Sequence, residues 1–207
     1  LILYFANKNE SDNQEKGGKS SLFNIFKNWN NLTINDAANK LSKKICDKSI
    51  ENTTTIVRFY EDEENITKLD KSKSNKINQE FVFLFLHYTS RISYSILGKD
   101  KRNNFMDKLI EKTSYRIANR SNFKNEANSR EDFIEKFNKR EYEYSKYKKM
   151  FPAPNRTPKN TLLHEFSKII SDRIINNIDL SLMAESITLA TNSIKEMGLN
   201  DILNRIE

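Results

Sequence analysis

An unbroken apolar segment in the middle of the chain restricts the fold more than any other feature. The span Lys76–Leu97 contains neither glycine nor proline, includes the run Phe81–Leu86, and is followed at once by Gly98. Buried strands are usually much shorter, and a glycine directly after a helix is a frequent C-terminal cap. The segment therefore predicts a long buried helix, 76–97, at the centre of the molecule.

Apolar residues recur at helical spacings of three and four through most of the remaining chain. The run Thr53–Tyr60 is rich in β-branched residues, which favours a strand by propensity. No partner strand of similar quality is visible elsewhere, so we expect residues 53–60 to be helical. The predicted fold class is all-α, a helical bundle of about six or seven helices around the central helix 76–97.

The composition divides the 207-residue chain into a short tail and one domain. Residues 7–21 are small and polar, which predicts a flexible N-terminal tail or tether at 1–21 and a single helical domain at 22–207. All prolines fall within Pro152–Pro158 and predict a break between helices. The apolar start, Leu1–Ala6, is too short to cross a bilayer, which needs about 20 residues. It is either a strand or short packed segment, or the end of a transmembrane helix or signal region.

The chain is basic, with 35 Lys+Arg against 28 Asp+Glu and a formal net charge of +7. A basic surface attracts nucleic acid or anionic membranes, but Lys also accumulates in chains rich in Asn and Ile without such a partner. Acidic residues interrupt the basic ones, as in Glu131–Lys136, which is typical of a solvated surface. Because Cys46 is the only cysteine, the chain can form no internal disulfide and contains no CxxC motif. This is expected for a protein of the reducing cytoplasm.

Two histidines limit the catalytic chemistry that the sequence can support. At 100° per residue, Glu80, His87 and Arg91 form one narrow polar stripe on the otherwise apolar helix 76–97. This stripe is either a ligand site, with His87 as ligand or base and Arg91 binding an anion, or a structural feature. In the second case it is a water-facing edge, or His87 is hydrogen-bonded by a neighbouring helix. The candidate polar site consists of Glu80, His87, Arg91 and, if the second histidine converges on them, His164.

A second candidate surface combines basic and aromatic residues near the end of the helix predicted from Glu131. Such residues can neutralise phosphates and stack on bases, although some of the tyrosines are expected to pack inward. The candidate nucleic-acid surface consists of Lys139, Arg140, Tyr144, Lys146, Tyr147 and Lys148.

Recognisable catalytic and cofactor motifs are absent. Gly18-Lys19-Ser20 resembles the end of a phosphate-binding loop, but Asn13 stands where that motif requires a glycine. Glu-x-x-His pairs and His-Glu-x-x-His are missing, so we predict no metal and no cofactor. Basic side chains and backbone N–H groups coincide at the start of the helix predicted after Gly98. This arrangement either binds an anion or is an ordinary basic loop.

Three function classes follow from these observations. The first is a non-enzymatic helical interaction or accessory domain with a protein partner. It would be cytoplasmic, and tethered to the inner face of a membrane through its N-terminal segment if Leu1–Ala6 is a membrane remnant. The second is a nucleic-acid-binding protein that uses the basic tyrosine-rich helix. The third is a helical bundle with a ligand or metal site centred on His87 and Arg91.

Overall fold

The computed structural model describes residues 31–63, 68–120, 129–151 and 160–207. These residues are mostly helical, and no strand occurs among them. One isolated parallel bridge joins Leu32 to Ile206. The helices are α1 (Ile34–Glu63), α2 (Lys71–Arg120), α3 (Ser129–Ser145), α4 (Leu162–Lys168), which continues into a π-helix (Ile169–Ile175), α5 (Leu180–Glu196) and α6 (Leu199–Leu203).

The all-α class is therefore confirmed, whereas neither the predicted number of about six or seven helices nor the central position of the helix 76–97 is confirmed. The predicted tail 1–21, the start of the predicted domain 22–207 and the proline cluster lie outside the described residues. Within the described part of the chain, no helix is both long enough and apolar enough to cross a membrane.

Helix α1 begins with a side-chain cap and includes the segment of uncertain propensity. Thr33 Oγ1 accepts a hydrogen bond of 3.1 Å from the backbone N–H of Asp36, as expected of an N-cap. Residues 53–60 are helical, with Ile56 buried. The Thr53 hydroxyl donates to the carbonyl oxygen of Ser49 at 2.7 Å. Burial and these local bonds outweigh the strand propensity of the run, so the helical expectation is confirmed.

Helix α2 is divided by the predicted break at Gly98. This glycine has φ 72° and ψ 177°, a combination that essentially only glycine adopts. Beyond it, Arg102 Nη2 donates to Ser90 Oγ. Twelve residues of straight helix would separate these two positions by about 18 Å along the axis. The segment 99–120 therefore turns back at Gly98, which places Arg102 beside the segment 71–97.

The apolar run of segment 71–97 is buried on several sides. Phe81, Val82, Leu84, Phe85 and Leu86 are fully buried. The Phe81 ring meets Phe166 of α4 edge-on at 5.0 Å between centroids, and Phe83 lies 5.4 Å from Phe133 of α3. The most extensive helix packing in the described chain joins α1 and α2. Segment 71–97 thus packs against α3 and α4 through its phenylalanines, which leaves few positions for polar side chains.

Candidate functional site

The polar stripe of α2 faces α3 and the residues that follow it. Glu80 and His87 are each only 3% exposed, and both meet side chains of α3. Arg91 reaches the backbone beyond the end of α3. The stripe is therefore the contact line between two helices, and it divides into a buried part around Glu80 and a partly open part around His87 and Arg91.

At the buried end, Glu80 is held by two residues of α3. The Tyr144 hydroxyl donates to Glu80 Oε1, and Arg140 Nε lies 3.0 Å from the same oxygen. Burial raises the pKa of Glu80, while Arg140 and Tyr144 oppose that rise. Burial and the neighbouring Glu80 carboxylate raise the pKa of Tyr144 well above its ordinary range. Tyr144 is therefore a neutral hydrogen-bond donor in this cluster.

Further ion pairs connect this cluster to α4 and the π-helix. Arg140 pairs with Glu143 of α3. Arg173, in the π-helix, lies 3.6 Å from Glu143 and 2.9 Å from Glu165. Each buried or half-buried charge thus has a partner of opposite sign, as the desolvation cost of unpaired buried charges requires. The arrangement accounts for the Glu80 end of the stripe as a structural element.

His87 is held by a carboxylate on one side and lacks a partner on the other. His87 Nδ1 lies 2.6 Å from Glu141 Oε2. The hydroxyl of Ser90 donates to the other oxygen of Glu141 at 3.3 Å. Since Nδ1 carries the proton in a hydrogen bond to a carboxylate, Nε2 is the nitrogen left for another group. Nε2 is buried and has no hydrogen-bond partner among the described residues.

Arg91 forms hydrogen bonds to the backbone just beyond the carboxyl end of α3. Its Nη1 donates to the carbonyl oxygen of Tyr147 at 3.0 Å, and its Nη2 donates to that of Lys148 at 2.5 Å. Carbonyl groups past the end of a helix lack intrahelical partners, and a cation there also suits the helix dipole. Arg91 therefore positions the chain after α3, and its remaining N–H groups are free to meet another acceptor.

These side chains surround an open pocket of about 440 Å³, which we call the His87 pocket. Arg102 reaches it from beyond Gly98, and its Nε is buried without a partner among the described residues. Three cationic side chains and one carboxylate therefore line a single depression. The lining residues are His87, Ser90, Arg91, Tyr94, Arg102, Glu141, Ser145, Tyr147 and Lys148.

Of the candidate polar site, the structure brings together His87 and Arg91 in this pocket, and Glu80 stands apart with Arg140 and Tyr144. His164 lies on α4 and lines neither the His87 pocket nor the cavity beside Glu80. The structure therefore does not place His164 in the His87 pocket, the condition under which it was included in the candidate site. Across the described ranges, no group of three or more His, Cys, Asp or Glu residues is placed to hold a metal ion.

The candidate nucleic-acid surface is divided by the packing of α3. Tyr144 is fully buried and Arg140 is paired with Glu80, so neither belongs to an exposed binding face, and this part of the prediction is corrected. Lys139, Lys146 and Lys148 are exposed, and Tyr147 is half-buried against the His87 pocket. What is left of the surface lies around the end of α3.

Sequence reasoning missed the contributions of Ser90 and Glu141, and it considered Arg102 only as part of the basic start of the helix after Gly98, not as a partner of His87. Ser90 could have been found, because it lies three residues after His87 on the same helix face. Arg102 enters only because the chain turns back at Gly98, and Glu141 comes from α3. The spacing of apolar residues within one helix indicates neither the turn at Gly98 nor the packing of α3 against α2.

Comparison with known proteins gives no match to a family model, a curated protein or a solved structure.

Proposed function

We propose that the protein is a helical ligand-binding domain that binds a small anion, such as a phosphate group, in the His87 pocket. The observation that supports this most strongly is Arg102 Nε, a buried N–H donor of a pocket-lining side chain, which has no hydrogen-bond partner among the described residues. Unpaired buried polar groups are costly and uncommon in native proteins. A bound anion at this pocket would accept a hydrogen bond from the Arg102 N–H.

The charges around the pocket favour an anion over a cation. Arg91, Arg102 and Lys148 contribute positive charge, and Glu141 is the one carboxylate among the lining residues. That carboxylate already accepts hydrogen bonds from His87 and Ser90. Lys148 is exposed, so its ammonium group can move toward a ligand. The volume of about 440 Å³ lies within the range of small-molecule sites, about 300–1,000 Å³.

Isothermal titration calorimetry of the full chain with inorganic phosphate in low-salt buffer tests the proposal. Arg102→Gln and Lys148→Ala remove one cation each from the pocket. Arg58→Gln is the matched control, because Arg58 is exposed on α1 and its loss changes the net charge equally. Hydrogen bonds to charged groups contribute about 1.5–3 kcal/mol, so each pocket variant should weaken binding by about tenfold or more.

Circular dichroism distinguishes lost binding from lost folding in Arg102→Gln, whose side chain also contacts Ser90. Lys148→Ala alters an exposed side chain and should keep the helical signal of the unaltered chain. Phosphate affinity that is equal in the pocket variants and in Arg58→Gln would contradict the proposal, as would the absence of binding by the unaltered chain.

A protein-interaction function is the second candidate. The observation in its favour is the exposure of Ile178 and Leu180 at the start of α5, 72% and 79% respectively. Large apolar side chains left this exposed can form part of a protein interface. Sedimentation velocity over a concentration series tests whether this surface joins two copies, with Ile178→Ser/Leu180→Ser as the comparison. Sedimentation that does not change with concentration or substitution would remove this surface as a self-association site.

A further inference from the structure

The His87 pocket combines its cations with aromatic rings, and this combination narrows the class of ligand. Tyr94 lines the pocket and is 60% exposed, although it lies on the helix that otherwise supplies the apolar core. Tyr147 lines the same pocket from the end of α3, where a hydrogen bond between its side chain and Glu165 restrains the ring. An aromatic ring that remains in solvent beside a cationic pocket is available to stack on a planar ligand.

Tyr94 also lies on the same side of α2 as Arg91, one of the cations of the pocket. It follows Ser90 by four residues and Arg91 by three, so the three side chains share one side of α2. One helical turn separates them, about 5 to 6 Å along the axis. This spacing along α2 leaves room in the pocket for a ligand whose anionic group and planar group are joined by a short linker.

We infer that the His87 pocket binds a nucleoside 5′-monophosphate group, with the phosphate near Arg102 and Lys148 and the base stacked on Tyr94. This inference rests on the anion site proposed above. The same chemical group occurs as a free nucleotide and at the 5′ end of a single-stranded nucleic acid. Base stacking on aromatic side chains tolerates any base, so the site is expected to discriminate weakly between adenine and uracil.

Calorimetric titrations of the full chain compare ligands that share the phosphate and differ in the base. The ligands are inorganic phosphate, ribose 5-phosphate, AMP, UMP and adenosine. We expect AMP and UMP to bind at least about fivefold more tightly than ribose 5-phosphate, because each adds one stacked base. Adenosine, which lacks the phosphate, should bind much more weakly than AMP.

Substitution of Tyr94 isolates the contribution of the base. Tyr94→Ala should abolish the advantage of AMP over ribose 5-phosphate and leave the affinity for ribose 5-phosphate unchanged. Tyr115→Ala is the matched control, because Tyr115 is 71% exposed on the same helix and does not line the His87 pocket. Both tyrosines are largely in solvent, so neither substitution is expected to change folding.

The outcomes separate this inference from the proposed function. Equal affinities for AMP and ribose 5-phosphate, with phosphate still bound, would overturn the nucleotide inference and leave the anion site intact. Failure of every phosphate-containing ligand to bind would overturn both. If the nucleotide is bound, a 5′-phosphorylated tetranucleotide identifies the source, because tighter binding than AMP indicates a strand end and weaker binding indicates a free nucleotide.

Discussion

Tyr144→Phe tests whether the buried cluster at Glu80 has the electrostatics that its geometry implies. The substitution removes the hydroxyl that donates to Glu80 Oε1 and keeps the aromatic ring, which is packed 5.5 Å from the His87 ring. Glu80 is only 3% exposed, so water cannot replace the lost donor easily. A hydrogen bond to a charged group contributes about 1.5–3 kcal/mol, and we expect a loss of that size in the free energy of unfolding at pH 7.

The same substitution should have a cost that depends on pH. Burial raises the folded-state pKa of Glu80 above its ordinary 4.5, and the Tyr144 hydroxyl opposes that rise. Removing the hydroxyl raises this pKa further, so the variant loses additional stability as the pH increases above 4.5. As the pH falls to 4, below the ordinary 4.5, Glu80 becomes mostly protonated in both states, and the cost should fall toward about 1 kcal/mol, the usual contribution of a neutral hydrogen bond.

Urea denaturation followed by circular dichroism at pH 4, 5.5 and 7 measures these differences. Tyr142→Phe is the matched control, because Tyr142 lies on the same helix and is 68% exposed. The control should change the free energy of unfolding by less than about 0.5 kcal/mol at every pH. A cost for Tyr144→Phe that is equal at all three values, or as small as in the control, would refute the reasoning.

Two further substitutions test the core and a helix cap. Phe85→Ala should reduce the free energy of unfolding by about 3–5 kcal/mol in urea denaturation, because Phe85 is fully buried; a loss below about 1 kcal/mol would show that its side chain is not in the core. Asp179→Ala should cost about 1 kcal/mol at pH 7, since Asp179 Oδ1 accepts a 2.7 Å hydrogen bond from the N–H of Ser181 at the start of α5. Hydrogen bonds from Ser181 lower the pKa of Asp179, so this cost should decrease as the pH falls below the ordinary 3.8 and the carboxylate loses its charge; an unchanged cost at pH 2 would contradict the assignment.

The sequence predicts those parts of the fold that are determined by residues close to one another along the chain. The helix 76–97 was predictable because apolar side chains follow one another until Gly98, where the backbone conformation requires a glycine, although the helix begins earlier, at Lys71. Residues 53–60 were ambiguous because β-branched residues favour strands, and burial in α1 decided the outcome. The π-helix Ile169–Ile175 could not be predicted, since its composition is that of an ordinary helix. The number of helices depends on such breaks, which carry weak local signals.

Only those residues of the candidate site that lie on a single helix could be predicted from the sequence. Glu80, His87 and Arg91 share a helix face, so helical periodicity alone places them together. Arg102 and Glu141 reach His87 through the turn at Gly98 and through the packing of α3 on α2. Contacts of this kind depend on the positions of whole helices, which single-sequence patterns do not specify.

The two ends of the polar stripe should respond independently to substitution. Glu80 and His87 are seven residues apart on α2, about 10 Å along the axis, and the hydroxyl lost in Tyr144→Phe serves only the Glu80 end. Tyr144→Phe keeps the aromatic ring that packs 5.5 Å from the His87 ring, so the packing at the binding end is preserved. Tyr144→Phe should therefore lower stability without weakening phosphate binding, and Lys148→Ala should weaken phosphate binding without lowering stability. If Tyr144→Phe also weakened phosphate binding, the stripe would act as one coupled network, and the separation of its structural end from its binding end would be wrong.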